Sequence, residues 1–221
     1  MTVNEANAVP TSGWVPIRSI SSSHREQVAS HLLELGPEDR FLRFGFQATD
    51  SQIAQYVDGL DFERDEIFGI FNRRLELIAL AHLANASATG SEAGGKESEF
   101  GVSVLAQYRG RGFGRRLFAR AALHARNHGV DTLLIHALSQ NRAMLGIVRE
   151  AGAVVQLDGS ETTSRLSLPS QTWASQVDEM AESQAAEIDY RFKQQALHLN
   201  GLVKGIAEVK KQIANVRIAS E

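Results

Sequence analysis

Glu99-Phe-Gly-Val-Ser-Val-Leu-Ala-Gln-Tyr-Arg-Gly-Arg-Gly-Phe-Gly-Arg-Arg-Leu-Phe-Ala-Arg-Ala-Ala-Leu-His-Ala-Arg126 decides how the chain is read. Phe100, Val102 and Val104 alternate with smaller residues, the period of a half-buried strand. Gly110, Gly112 and Gly114 then mark a turn. Phe113, Leu117, Phe118, Ala121 and Ala125 follow at three- and four-residue spacing, the apolar stripe of a helix. The glycines therefore fall where a strand hands over to a helix start. The first amides of a helix lack internal partners, and the macrodipole adds partial positive charge there. Glycine lets an anion reach that backbone. Gly110, Arg111, Gly112, Phe113, Gly114 and Arg115 are thus expected to hold a phosphate. Between Phe100 and Val130 there is no Asp or Glu, but there are six arginines, at 109, 111, 115, 116, 120 and 126. Their forked donors suit phosphate. Arg116 and Arg120 are expected either to face solvent or to reach a nucleotide.

The phosphate is not one held by a P-loop, because Gly-x-x-x-x-Gly-Lys-Ser/Thr is absent. A dinucleotide fingerprint fits at Gly110 and Gly112, but its third glycine slot holds Arg115. The following strand, Asp131-Thr-Leu-Leu-Ile-His-Ala137, ends without the acid that would bind a ribose.

The remaining sequence sets the frame. The chain has 221 residues, 43% hydrophobic and 22% charged, with net charge −3 and no cysteine. That is enough for one domain and an appendage. Disulfides, thiolate catalysis and cysteine-bound zinc are excluded. The acidic balance argues against nucleic acid as a partner, and no apolar run is long enough to span a membrane. The opening residues do not read as a signal peptide, so a cytoplasmic location is expected. Residues 1–12 read as disordered.

Trp14 to Ile20 reads as a first strand. Ser23 and Glu26 offer a capping box for a helix containing Val28, Leu32, Leu33 and Leu35. A second helical region carries Phe41, Leu42 and Phe44, and Asp50 is expected to cap a third with Ile53, Tyr56 and Val57. Glu66–Phe71 and Leu75–Leu83 read as a hairpin, and 85–97 as a mobile loop. Strand 132–137, helix 141–151 and strands 153–157 and 163–168 follow. Pro169 marks the end of a domain spanning 13–169. Residues 170–221 read as a helical extension, from Trp173 to Val216 as one helix or two. Its seam through Phe192, Leu199, Leu202, Ile206, Val209, Ile213 and Val216 fits either packing against its own domain or a coiled-coil arm joining copies.

Arg109-Gly-Arg-Gly-Phe-Gly114 resembles the Gln/Arg-x-x-Gly-x-Gly/Ala motif of the GNAT acetyltransferase superfamily. Asn141-Arg-Ala-Met-Leu-Gly-Ile-Val-Arg-Glu-Ala-Gly152 resembles its second motif, and order and spacing match over about residues 14–168. The resemblance implies an α/β fold: a mixed, mostly antiparallel sheet flanked by helices, here with a C-terminal long-helix extension. It implies acetyl-CoA as co-substrate, no metal, and a primary amine acceptor, either a small molecule or a protein lysine. The backbone of Val102, Ser103 and Val104 would line the pantetheine, Arg109 to Arg115 would hold the pyrophosphate, and Asn141 would contact the cofactor arm, cap its helix, or both. Glu99, ten residues before Arg109, stands where related enzymes often place a general base acting through water. Partial burial beside Phe100 is expected to raise its pKa.

Two departures bear on chemistry. Val148 stands where the family often has a tyrosine acting as general acid, and Ala153 replaces a usual aromatic. Another group, water or Tyr108, then protonates the sulfur, or none is needed, or catalysis is weak or lost. Two readings follow: an N-acetyltransferase working by direct attack in a ternary complex, and a non-catalytic acetyl-CoA-binding module with an assembly helix. His124 and His128, four apart, are expected to be a solvent-facing pair rather than metal ligands. His82 ends a strand beside the expected acceptor groove, where it is placed to assist proton removal, but it and His136 are expected to be satisfied core or surface residues.

Overall fold

The computed structural model describes residues 15–85, 96–159 and 161–218. The expected disordered start and most of the 85–97 loop lie outside these residues. A seven-stranded sheet runs in the order β1-β2-β3-β4-β5-β7-β6. Its strands are β1 Arg18–Ser19, β2 Glu66–Phe71, β3 Leu77–Asn85, β4 Glu97–Val104, β5 Thr132–Leu138, β6 Val154–Asp158 and β7 Glu161–Ser167. Every neighbouring pair is antiparallel except β4 with β5. This is the expected mixed, mostly antiparallel sheet.

Helices cover both faces. α1 (Arg25–Leu33), α2 (Pro37–Phe44) and α3 (Asp50–Asp58) precede the β2–β3 hairpin. α4 (Phe113–Asn127) and α5 (Arg142–Glu150) flank β5, and α6 (Trp173–Ile218) closes the chain. Period-two alternation on β4 divides the interior. Phe100 enters the core with Leu117, Phe118 and Ala121 of α4 and Val148 of α5. Leu105 joins Val28, Leu32, Ile53 and Val57 on the other side. Between them His31 is buried. Its Nδ1 lies 2.8 Å from the Leu77 carbonyl and its Nε2 2.8 Å from Ser103 Oγ.

Two caps differ from expectation. Residues Ser22–His24 form a short 3-10 turn before α1, so the Ser23–Glu26 box does not close. The Ser21 and Ser23 hydroxyls bond each other and His24 instead. At α3 the cap is Thr49, in a complete box with Gln52. Asp50 is the first helical residue and pairs with Arg40 at 2.7 Å. A threonine hydroxyl reaches the N3 amide as well as a carboxylate would.

α6 is one helix, and its first half packs on this chain. Glu179 accepts hydrogen bonds from His124 and Asn127, 2.6 Å each. The buried Arg120 donates to Ser183 Oγ at 2.7 Å and lies 3.3 Å from Glu179. Arg120 therefore neither faces solvent nor reaches toward the glycine turn. His124 is likewise not solvent-facing: it is half-buried against Glu179, with the exposed His128 stacked on it. Further along, Glu187 pairs with Arg18 of β1, and Tyr190 packs against Phe71. α6 thus covers the β1 edge of the sheet, a place where unpaired backbone would otherwise invite association. Trp173, Val177, Met180, Ile188 and Phe192 remain exposed on it. The later part of the expected seam, beyond Leu197, has no described side chains. Among the described residues, no helix is long and apolar enough to cross a membrane.

Candidate active site

β4 and β5 pair only at Glu97–Glu99 with Thr132–Leu134. Beyond that they part, because β4 continues along β3 to Val104 while β5 follows β7 to Leu138. The opening splits the sheet from within. Two adjoining cavities follow it, of about 290 Å³ near Glu99 and about 390 Å³ toward the glycine turn. Leu42 and Arg43 of α2, Val102 of β4, and Asn141 and Met144 at α5 line both.

The far end is the glycine turn that leads from β4 into α4. Gly110 and Gly112 both have φ +74°, a conformation open to glycine at little cost. Gly112 caps α4 without a side-chain partner, and no acid stands in the first turn. The amides of Phe113, Gly114 and Arg115 consequently have no helical carbonyl to bond. Gly114 packs toward α5, where a Cβ would make ordinary contact with Ile147 at 3.4 Å. Arg109 pairs with Asp39 of α2 and donates to the Val104 carbonyl, and Arg115 pairs with Glu150 at 2.7 Å. Arg111 lies over the Tyr108 ring. All of Arg109, Gly110, Gly112, Phe113, Gly114 and Arg115 line the larger cavity, together with Val102, Ser103 and Val104. Arg126, by contrast, donates to Ser170 beyond the far end of α4.

At the near end Glu99 occupies the last paired position, opposite Leu134, and lines the smaller cavity. It is exposed, not half-buried as expected. Phe100 points to α4, so its neighbour must point the other way, toward the open cavity. Asn141 caps α5 by accepting from the Met144 amide at 3.1 Å and also lines both cavities. Val148 is fully buried in the core and contributes nothing to the groove wall. The Tyr108 hydroxyl sits 3.1 Å from the Asn72 amide nitrogen, which donates to it.

Four residues beside the groove were not legible as a group. Arg43 donates to the Tyr56 hydroxyl at 2.9 Å, and that hydroxyl lies 2.7 Å from His82 Nδ1. His82 Nε2 lies 3.1 Å from Asp65, which Arg64 also grips. Burial, then the Arg43 charge, push the His82 imidazole below its ordinary value. Burial pushes the Asp65 carboxyl up, but hydrogen bonds from Arg64 and His82 outweigh it and hold the group low. The roles are then fixed: neutral His82 donates from Nε2 to Asp65 and accepts the Tyr56 proton at Nδ1. The sequence placed His82 alone beside the groove; Gly101 inside a strand is a further mark of close approach. A Cβ there would lie 2.7 Å from Arg43 Cζ.

The sheet is thus split between its two parallel strands, with a glycine-rich helix start at the mouth of the split. The model of the acetyltransferase (GNAT) family matches residues 40–152, and the chain belongs to that family. Among solved structures it is similar to the GNAT domain of PAT from S. lividans, at 19% identity and TM-score 0.59 over 71% of this chain and 92% of that one. Spermidine N-acetyltransferase from Vibrio cholerae, solved with CoA and spermine, matches at 15% identity and TM-score 0.52 over 68% and 92%. Ribosomal-protein-alanine N-acetyltransferase from Brucella melitensis matches at 16% and 0.54 over 69% and 99%. At such identities the likeness is one of fold.

Proposed function

We propose that the chain transfers the acetyl group of acetyl-CoA to a primary amine by direct attack in a ternary complex. One observation carries this reading: two adjoining cavities with shared walls lead from Glu99 to the arginine-flanked turn Gly110–Arg115. The turn's amides, with Arg109, Arg111 and Arg115, would hold the pyrophosphate. The uncharged pantetheine would lie along Val102, Ser103 and Val104 and past Asn141. The amine nitrogen forms the new bond to the thioester carbonyl carbon, the carbon–sulfur bond breaks, and CoA leaves as thiolate. Glu99 would take the amine's proton, directly or through water. Holding the two substrates in line supplies much of the acceleration. No metal is required by this scheme.

Isothermal calorimetry tests the binding half. Acetyl-CoA is expected to bind, and Gly112→Asp, which adds strain and a negative charge, to weaken it at least about 10-fold. No heat of association with the folded chain would overturn the reading. Thiol release tests the chemistry: Glu99→Gln is expected to lower kcat by about 100-fold or more with acetyl-CoA affinity retained.

A second reading has its own observation. Val148 is sealed in the core where the family often has a tyrosine, so α5 offers no hydroxyl to the leaving sulfur there. A chain that binds acetyl-CoA but acetylates no member of a broad amine panel would be a binding module, with α6 serving assembly.

A further inference from the structure

The smaller cavity has a charge pattern of its own. Among the described residues that line it, Glu99 is the one carboxylate and Arg43 the one guanidinium. Arg43 is half-buried, lies against the backbone at Gly101, and is held by the chain through Tyr56 and His82 to Asp65. Each link polarises the next in one direction, which fixes the guanidinium where the two cavities meet. Yet Arg43 has no direct ion pair among the described residues: Asp65 stands two side chains away, at the end of the chain of hydrogen bonds, and no carboxylate lies within 4.0 Å of the guanidinium. The other arginines bordering the groove are matched, Arg109 by Asp39 and Arg115 by Glu150. A guanidinium held this way and left unmatched is suited to a ligand carboxylate, which takes two parallel hydrogen bonds.

The cofactor does not supply that anion, since pantetheine is uncharged and its phosphates belong at the opposite end. The cavity itself points to a small ligand. Its volume, about 290 Å³, is at the lower end for small-molecule sites. Its wall also contains Thr162, whose hydroxyl is buried without a hydrogen-bond partner among the described residues. Such a group is costly to leave unpaired.

Resting on the acetyl-transfer reading, we propose that the acceptor is a small amino carboxylate, its carboxylate paired with Arg43 and its amine beside Glu99. Tyr56, His82 and Asp65 are positioning residues for Arg43. A polyamine fits poorly, because it would bring several positive charges to a wall with one carboxylate and a fixed cation.

Free L-amino acids, their carboxamides, spermidine and a lysine peptide without acidic neighbours are compared by thiol release with acetyl-CoA. Amino acids are expected to show KM values about 10- to 100-fold below their carboxamides. Arg43→Met is expected to bring that ratio to about one, chiefly through KM, and Arg43→Lys to restore part of it. Equal KM for acid and amide in the native chain, or preference for spermidine or the peptide, overturns the proposal. So does a preference of Arg43 for a carboxylated acyl donor: if Arg43→Met alters turnover of succinyl-CoA relative to acetyl-CoA while leaving the acid-to-amide ratio intact, the guanidinium serves the donor. Binding of the amino acid is measured separately, with and without CoA. Failure of acetyl-CoA to bind would strike the acetyl-transfer reading, whereas failure of the amino acid to bind a CoA-loaded chain strikes this one.

Discussion

Single side chains set two measurable responses. His31 lies in the interior, and burial lowers its pKa from 6.5 to about 4 despite its bond to the Leu77 carbonyl. The unfolded chain therefore binds a proton that the folded chain refuses between those values, and stability falls as pH drops through that window. The conversion of about 1.4 kcal/mol per pH unit puts the full loss near 3 kcal/mol. Urea melts from pH 7 to pH 4 are expected to show this slope, and His31→Gln to flatten it; an unchanged slope in the variant would refute the assignment. Tyr56→Phe removes the hydroxyl between Arg43 and His82. It is expected to cost about 1–2 kcal/mol of stability, because His82 Nδ1 loses its donor. Its KM for the acceptor should rise more than its kcat falls.

None of this could be read along the chain. His31 and Ser103 are 72 positions apart, and Arg43 and His82 come together only when α2 and α3 fold over β3 and β4. The glycine turn was legible because its shape is a property of consecutive backbone. Glu99 was legible in place but not in environment: its exposure follows from the face that Phe100 takes.

Elements read well where their pattern was internal to them. β4, α4, β5 and α5 follow apolar periodicity that survives folding, and α6 was visible as a long helix. The caps of α1 and α3 were misplaced by one or a few residues, since serine, threonine and aspartate compete for the same amides. The docking of α6 was beyond the sequence, because its anchors lie on α4, β1 and β2, far away along the chain. Arg120 and Glu179 have side chains only 3% and 13% exposed. Burial pushes the Glu179 carboxyl up, but His124 and Asn127 hold it down to about 2. Glu179→Gln would leave the Arg120 charge buried without a counter-ion. Such a loss costs about 3 kcal/mol, measurable by chemical denaturation. A change below about 1 kcal/mol would mean that water reaches the pair.

At the scale of the whole molecule, the boundary expected at Pro169 separates two stretches that pack as one body through Ser175, Glu179, Glu187 and Tyr190. Ending the chain at Pro169 would strip Tyr190 from Phe71 and Glu179 from Arg120. The expected loss is on the order of 5 kcal/mol, comparable to the stability of many domains. A chain ending at Leu197 should unfold at nearly the native temperature. Identical melting of the Pro169 chain would show α6 to be dispensable for folding.

The parting of β4 from β5 has one more effect. A strand in the middle of a sheet normally has both flanks zipped, yet past Glu99 and Leu134 each of these strands has a bare flank facing its former neighbour. The molecule thus carries two unzipped sheet borders within its own sheet. Amide hydrogens along these inner borders should exchange with solvent faster than those of β2 and β3, and slow when acetyl-CoA is added.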